Sequence, residues 1–307
     1  MSFVEQLDNI YAIDAKMFGF DKYESIYLVK GKKLALIDTG LPPQLEDVRA
    51  GIKAKGFNIS DISHIFITHS HPDHIGNVAP LLRESPGAKV YVHPAGAEDL
   101  IDPSIDGELR KKVLVPKMVA RFGDMEPVPL ERIQRLNDGD EFELGDGEKL
   151  KVIFAPGHHP SGIVLFEQKN NGLFINDLVG NYLADAGAHY TLNPPNSDHQ
   201  QAIQSLKKLM EIPVANLYLG HYGIIRENPK QVMSNAIDKM QRLLDIGREY
   251  MKEGKADIIA DRAYEIILPE LEKLRKVRGE EMYQYATQEH VGSQVKLFAK
   301  YCQEKLS

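Results

Sequence analysis

Cysteine is almost absent: the 307-residue chain has one, Cys302, near its C-terminus. No intrachain disulfide can form, and a cysteine-rich zinc module is excluded. Long hydrophobic runs are missing too. No stretch approaches the ~20 apolar residues that span a bilayer, and the opening MSFVEQLDNIYAIDAK lacks the basic segment and apolar run of an export signal. These absences lead us to expect a cytoplasmic protein with no membrane partner. Basic excess is the third absence, since 37 Lys and Arg stand against 44 Asp and Glu for a net charge of −7. The cations are scattered among acids, so no nucleic-acid partner is expected. With 17 prolines, 43% hydrophobic and 26% charged residues, the chain sits among ordinary globular proteins.

Short β-rich runs open the chain at Asn9 to Ala12, Ser25 to Val29 and Leu34 to Ile37, the last closed by Asp38-Thr39-Gly40. From Pro42 a helical spacing runs through Val48, Ile52 and Ala54 to Gly56. Ile65 to Thr68 reads as a buried strand feeding a histidine-rich loop, followed by a helix carrying Val78, Leu81 and Leu82. Lys89 to His93 reads as the next strand, and helices with connections are expected around Leu100, Leu114 and Val119. A second β-rich half has strands near Glu141 to Leu144, Leu150 to Phe154, Ile163 to Phe166 and Leu173 to Ile175. A helix from Asp198 to Met210 then leads into a strand from Asn216 to Leu219. Two successive β-rich halves predict an α/β fold of two facing sheets with helices outside, an αββα sandwich.

After Asn228 the apolar residues Val232, Ala236, Met240, Leu243 and Leu244 follow helical spacing, which Gly254 breaks and which Ile259, Ala263, Ile266 and Ile267 resume before Pro269. Val291, Val295, Phe298 and Tyr301 form a last stripe. We expect a body at 1–228 and an all-helical C-terminal extension at 229–307, covering the active-site cleft.

The segment His69-Ser70-His71-Pro72-Asp73-His74 gathers three imidazoles and a carboxylate at the exit of a buried strand. Two residues apart on extended backbone, His69 and His71 point to the same side. Asp73 and His74, where the chain turns into a helix, face a second point. Such nitrogen and oxygen donors suit zinc, iron or manganese. One loop cannot fill two metal shells, and further donors follow apolar runs elsewhere. His158 lies in Ala155-Pro156-Gly157-His158-His159, Asp177 follows Leu173-Phe174-Ile175-Asn176, and His221 follows Leu217-Tyr218-Leu219-Gly220. Asp38 is expected to shape a turn and support the site by hydrogen bonds rather than bind metal. His64 and His93 read as structural histidines.

This set resembles the metallo-β-lactamase superfamily of dinuclear hydrolases over roughly Asn9 to Ile225. The resemblance implies that His69, His71 and His158 bind one metal, that Asp73, His74 and His221 bind the other, and that Asp177 bridges both. The cofactors implied are two divalent transition-metal ions, zinc first, with iron or manganese as alternatives. Two positions depart from the family pattern. The third turn lacks the family's second, non-ligand histidine and carries His159 instead, and Asn176 precedes Asp177 where glycine is usual. The helical tail, with Glu289-His290-Val291-Gly292-Ser293 before an apolar helix, is similar to the subgroup that includes a quinolone-signalling thioesterase and lactonase-like proteins.

The implied activity is hydrolysis of a small-molecule activated carboxylic ester, lactone or thioester by a metal-bridging hydroxide, with Asp73 as the catalytic residue that orients it and passes its proton. A phosphodiesterase or phosphotriesterase on the same site is the alternative, and a regulatory protein with a vestigial site is a third reading. A β-lactam is disfavoured by the missing export signal, and a flavodiiron role by His71, where that branch has glutamate. Substrate-pocket candidates are His159, Tyr182, His189, Tyr222, Tyr285 and His290, with Tyr283 and Ser293 at the junction of two tail helices and the loop Asn181 to Asn193 as another determinant. A homodimer is compatible with the sequence.

Overall fold

The computed structural model describes residues 3–113, 116–191 and 196–306; Leu114, Asn193 and Ser307 lie outside the described residues. Seven strands build the first sheet in chain order: β1 (Gln6–Leu7), β2 (Ile10–Asp14), β3 (Ser25–Lys30), β4 (Leu34–Ile37), β5 (Ile62–Phe66), β6 (Lys89–Val92) and β7 (Ile133–Arg135). The first four run as an antiparallel meander, and β4 to β7 run parallel. The second sheet is built from β8 (Glu141–Gly145), β9 (Glu148–Phe154), β10 (Ile163–Glu167), β11 (Gly172–Phe174), β14 (Asn216–Tyr218) and β15 (Ile224–Ile225). Its order is β15-β14-β11-β10-β9-β8, with β11 and β14 parallel. A separate hairpin joins β12 (Asn181–Leu183) to β13 (Ala188–Tyr190).

Strand periodicity decides which side chains enter which layer. Tyr27 and Val29 of β3 point between the sheets, where they meet Phe174, Tyr218 and Leu165. Ile26 and Leu28 point the other way, onto α1 (Leu45–Ala54) through Val48 and Ile52, together with the helix after the histidine loop. That loop runs through α2 (Pro72–Ile75) into α3 (Val78–Glu84). Short helices α4 (Ala97–Ile101), α5 (Ser104–Val113) and α6 (Pro116–Phe122) precede the second sheet, and α7 (His199–Met210) covers that sheet's outer face, with Asp198 capping its first turn. Helices therefore lie outside two facing sheets, as the sequence leads one to expect.

The tail contains α8 (Pro229–Lys252), α9 (Ile259–Gln284) and α10 (Gly292–Lys305). Its apolar stripes join the same core as the outer face of the second sheet, through Val232, Ala236, Leu271, Val295 and Phe298. The structure adds to this reading in three places. The helix from Ile259 continues through Pro269 as far as Arg278; Gly279, at φ 85, kinks it there before it resumes to Gln284. Ile267, Leu271 and Leu274 are buried on either side of the proline, and that burial outweighs the ~3 kcal/mol an interior proline costs. The expected loop from Asn181 contains β12 and β13, because Tyr182, Leu183, Ala188 and Tyr190 are buried. The expected junction of the last two helices is a π-helical stretch, Tyr285–Val291, continuous with both. Among the described residues no helix is long and apolar enough to cross a membrane.

Candidate metal centre

Parallel strand pairing brings distant ligand-type residues together. Because β4 pairs with β5 and β11 with β14 in parallel, their C-terminal ends lie side by side. Asp38 follows β4, the segment from His69 to His74 follows β5, Asp177 follows β11, and His221 follows β14. His158 arrives on the turn between β9 and β10, which is fastened to the histidine loop by Ile163 N–H donating to the Thr68 carbonyl (2.8 Å). Pro72 opens α2, so Asp73 and His74 sit in its first turn beside the strand end.

Two groups of donors form and share a border. His69, His71 and His158 present ring nitrogens within 4.8 Å of one another. His69 Nε2 and His158 Nε2 lie 2.8 and 3.1 Å from His71 Nδ1. Next to them Asp177 Oδ2 stands 3.4 Å from His74 Nε2 and 3.6 Å from both His158 Nε2 and His221 Nε2. Asp73 Oδ2 is 3.6 Å from His74 Nε2. All seven residues inferred from the sequence are thus brought to one place.

Outer partners orient the imidazoles. His74 Nδ1 bonds Asp38 Oδ2 at 3.0 Å, and His221 Nδ1 bonds the Tyr23 carbonyl at 3.0 Å. With the proton on Nδ1 in both rings, each Nε2 turns a lone pair toward Asp177. Asp38, at φ 58, also accepts from Thr68 N–H (2.8 Å), the Thr68 hydroxyl (2.7 Å) and Asn176 Nδ2 (2.8 Å). Asn176, the departure from the family pattern, thereby ties Asp38 to the residue before Asp177.

Electrostatics separate the two groups. Burial and the surrounding imidazoles hold His69 and His71 well below the ordinary histidine range, and burial takes His158 down to about 4. These rings are neutral at pH 7. Burial opposes charge on His74, but Asp73, Asp38 and Asp177 outweigh it and push its pKa well up. Burial likewise opposes charge on Asp177, yet His221, His74 and His158 hold its carboxyl far below the usual range. Burial raises Asp73.

The set fits divalent metal. His74 Nε2 and Asp177 Oδ1 are buried with no hydrogen-bond partner among the described residues. Buried donors and acceptors are ordinarily paired, and a cation satisfies converging lone pairs that cannot hydrogen-bond one another.

The pocket candidates divide. His159 faces the cluster, its ring 4.7 Å from that of His71, with Nδ1 2.8 Å from Ser161 Oγ and a pKa lowered by burial to about 3. His290 and Tyr285 stack 5.9 Å apart and meet Tyr23, whose ring is 5.4 Å from that of His221. His290 Nδ1 is 3.5 Å from the Tyr23 hydroxyl, and burial together with His221 lowers its pKa to about 3. Tyr222 is a correction, because its hydroxyl bonds Glu5 (3.0 Å) and its ring meets Phe3, both outside the cluster. Tyr182 and His189 pair with each other across the hairpin, and His189 Nε2 bonds the Val179 carbonyl (2.8 Å) while its backbone N–H donates to Glu270 (3.0 Å). They serve packing of the tail. Tyr283 and Ser293 spend their hydroxyls on Glu272 and on helix carbonyls. The sequence reading missed two residues, Tyr23 and Glu24, both almost wholly buried. An acid at the head of the buried β3 was the available signal for the second.

Comparison with known proteins agrees with this arrangement. The sequence profile described as the metallo-beta-lactamase superfamily matches residues 20–221. A metallo-beta-lactamase fold-containing protein of Sulfurisphaera tokodaii is 28% identical over 282 residues, covering 87% of this chain and 97% of the other. An atrochrysone carboxyl ACP thioesterase of Emericella nidulans is 24% identical over 72% of this chain and 58% of its own length. A metallo-beta-lactamase family protein of Thermus thermophilus shares the fold with a TM-score of 0.68 at 18% identity, across 97% of this chain and 94% of that one, helical tail included. With the profile running through the histidine loop and on to His221, this chain belongs to the metallo-beta-lactamase superfamily.

Proposed function

We propose that the chain is a dinuclear metal-dependent hydrolase of an activated carboxylic ester, lactone or thioester. The observation that carries this reading is Asp177 Oδ2, set within 3.4 to 3.6 Å of three imidazole nitrogens, between the histidine triad and Asp73. His69, His71 and His158 would hold one ion, Asp73, His74 and His221 the other, and Asp177 both. Bound there, two divalent cations would supply Lewis acidity and a water whose pKa falls toward about 7. Asp73, fixed by the helix start, would orient the nucleophile and take up its proton.

The aromatic residues packed against His221 favour an acyl substrate on this reading. Tyr23, Tyr285, Phe18 and Phe20 form one aromatic cluster, and His290 adds a neutral polar group beside it. Arg121, over the Tyr285 ring, is neutralised by Glu289 at 3.0 Å. The two metal ions could serve a phosphoester as well, but the aromatic surroundings suit an apolar acyl group. The thioesterase relative supports the same class. On this reading, residues 1–228 form the catalytic body and 229–307 the cover that closes the acyl side of the cleft.

Elemental analysis with a panel of p-nitrophenyl esters, lactones, thioesters and phosphoesters tests the proposal. Two ions per chain and turnover of an ester, lactone or thioester are expected. Asp177→Ala should lose occupancy at both positions. Turnover of phosphoesters alone would transfer the site to the phosphodiesterase reading, and a metal-free, inert protein would refute the hydrolase.

A further inference from the structure

At the head of β3 lies an acid that the seven-ligand reading leaves unused. Glu24 is 1% exposed, and neither of its carboxylate oxygens has a hydrogen-bond partner among the described residues. Its position is set by backbone on both sides. Ala15 N–H donates to the Glu24 carbonyl (3.1 Å), Ser25 N–H donates to the Gly220 carbonyl (2.7 Å), and the Tyr23 carbonyl accepts from His221. The segment is therefore clamped between β2 and the turn that delivers His221.

From this position the Glu24 carboxylate reaches Asp73 and His74, the three ligand atoms lying within 4.8 Å of one another. The His74 nitrogen on this side, Nε2, is itself unpartnered, because Nδ1 is committed to Asp38. The charged groups that act on Glu24 are His74 and the acids Asp73, Asp177 and Asp38. No Lys or Arg among the described residues forms an ion pair with it. A carboxylate taken out of water without a hydrogen-bond donor is strongly unfavourable, and His74 is the one base set against Glu24, Asp73, Asp177 and Asp38, so the site calls for further positive charge at the point where Glu24, Asp73 and His74 meet.

We propose that Glu24 is an additional oxygen ligand to the metal ion on the Asp73–His74 side of the centre. This rests on the dinuclear reading and changes its chemistry. The His69–His71–His158 position remains rich in imidazole, while its neighbour gains a third carboxylate beside Asp73 and the shared Asp177. Oxygen-rich shells of higher coordination number suit manganese and iron, and imidazole suits zinc. Asp73 already sets the two positions apart, and Glu24 widens their difference in metal preference.

The test uses full-length parent and Glu24→Gln, stripped with chelator and titrated separately with Mn2+ and Zn2+ by calorimetry, with elemental analysis after dialysis and thermal unfolding of the apo forms. The parent is expected to bind two ions. Glu24→Gln is expected to keep one position at parental affinity and to weaken the other at least tenfold, more for Mn2+ than for Zn2+. Its apo midpoint should not fall, since the amide replaces an unpaired acid. Two Mn2+ ions bound at parental affinity by the variant would overturn the proposal and leave the dinuclear reading intact. Equal loss of both ions with a lower apo midpoint would make Glu24 a structural residue and would also overturn it. A parent that binds no metal removes both readings. Should Glu24→Gln fail to fold, Glu24→Asp decides, because it retains the charge and withdraws it by one methylene: weakened Mn2+ binding with an unchanged apo midpoint supports the proposal, and parental Mn2+ affinity refutes it.

Discussion

Asp38→Asn separates a residue that positions ligands from one that merely shapes a turn. Asp38 Oδ1 accepts from Thr68 N–H, and Oδ2 accepts from the Thr68 hydroxyl, His74 Nδ1 and Asn176 Nδ2. The substitution keeps volume, and asparagine tolerates the φ of 58 at this position. It cannot keep all four bonds, because one oxygen becomes an amide donor. With that NH2 at the Oδ1 position a single fixed donor is left facing it, whereas at Oδ2 three are. The first orientation is therefore expected, at a cost of about 2 kcal/mol for one lost bond to a charged acceptor. The remaining oxygen is uncharged and holds His74 Nδ1–H less firmly. More of the ring carries its proton on Nε2, the atom that faces Asp177. Metal affinity should fall by about 10- to 100-fold, or about 1.4 to 2.7 kcal/mol. Chelator competition measures the affinity, and denaturant unfolding of the apo protein measures the stability. A variant destabilised by about 2 kcal/mol with metal affinity within twofold of the parent would show that Asp38 braces the turn and does not position His74.

Asp73→Asn should lower turnover by at least about 100-fold on every substrate of the parent, with the fold unchanged by circular dichroism; near-normal turnover would remove Asp73 from the mechanism. Tyr285→Ala and His290→Ala should change the ranking of kcat/KM among ester, lactone and thioester substrates at constant metal content, and unchanged ratios in single and paired variants would assign the tail to bracing alone. His189 bears on acid stability, since burial lowers its pKa to about 4 from 6.5. The unfolded chain then binds the extra proton, so stability present above the unfolded pKa is lost as pH falls from about 6.5 through about 4. The loss is on the order of 3 kcal/mol. Metal-free unfolding curves of parent and His189→Gln should converge toward pH 4, and curves that stay parallel would contradict the assignment.

Local sequence determined which segments become strands and helices, and where ligand-type residues leave them. The run Leu34–Ile37 is buried at every position, and the helix from His199 begins directly after its Asp198 cap. The spacing of His69, His71, Asp73 and His74 on a strand exit made the centre legible, because strand ends and helix starts orient side chains through backbone geometry alone. Periodicity says which face is buried but not against what. Tertiary structure therefore decided the rest: parallel pairing of β4 with β5 and of β11 with β14 set Asp38, the histidine loop, Asp177 and His221 side by side. Burial carried α9 through Pro269, where the local rule favours a stop. Tyr222 lies beside His221 in sequence, yet its hydroxyl is spent on Glu5, while Tyr285 and His290, more than sixty positions beyond His221, close on the centre through Tyr23. Glu24 shows the limit most clearly. Its neighbours in sequence mark a strand end, and only the meeting of β3 with the turns of His74 and His221 leaves its carboxylate buried, unpaired and among ligands.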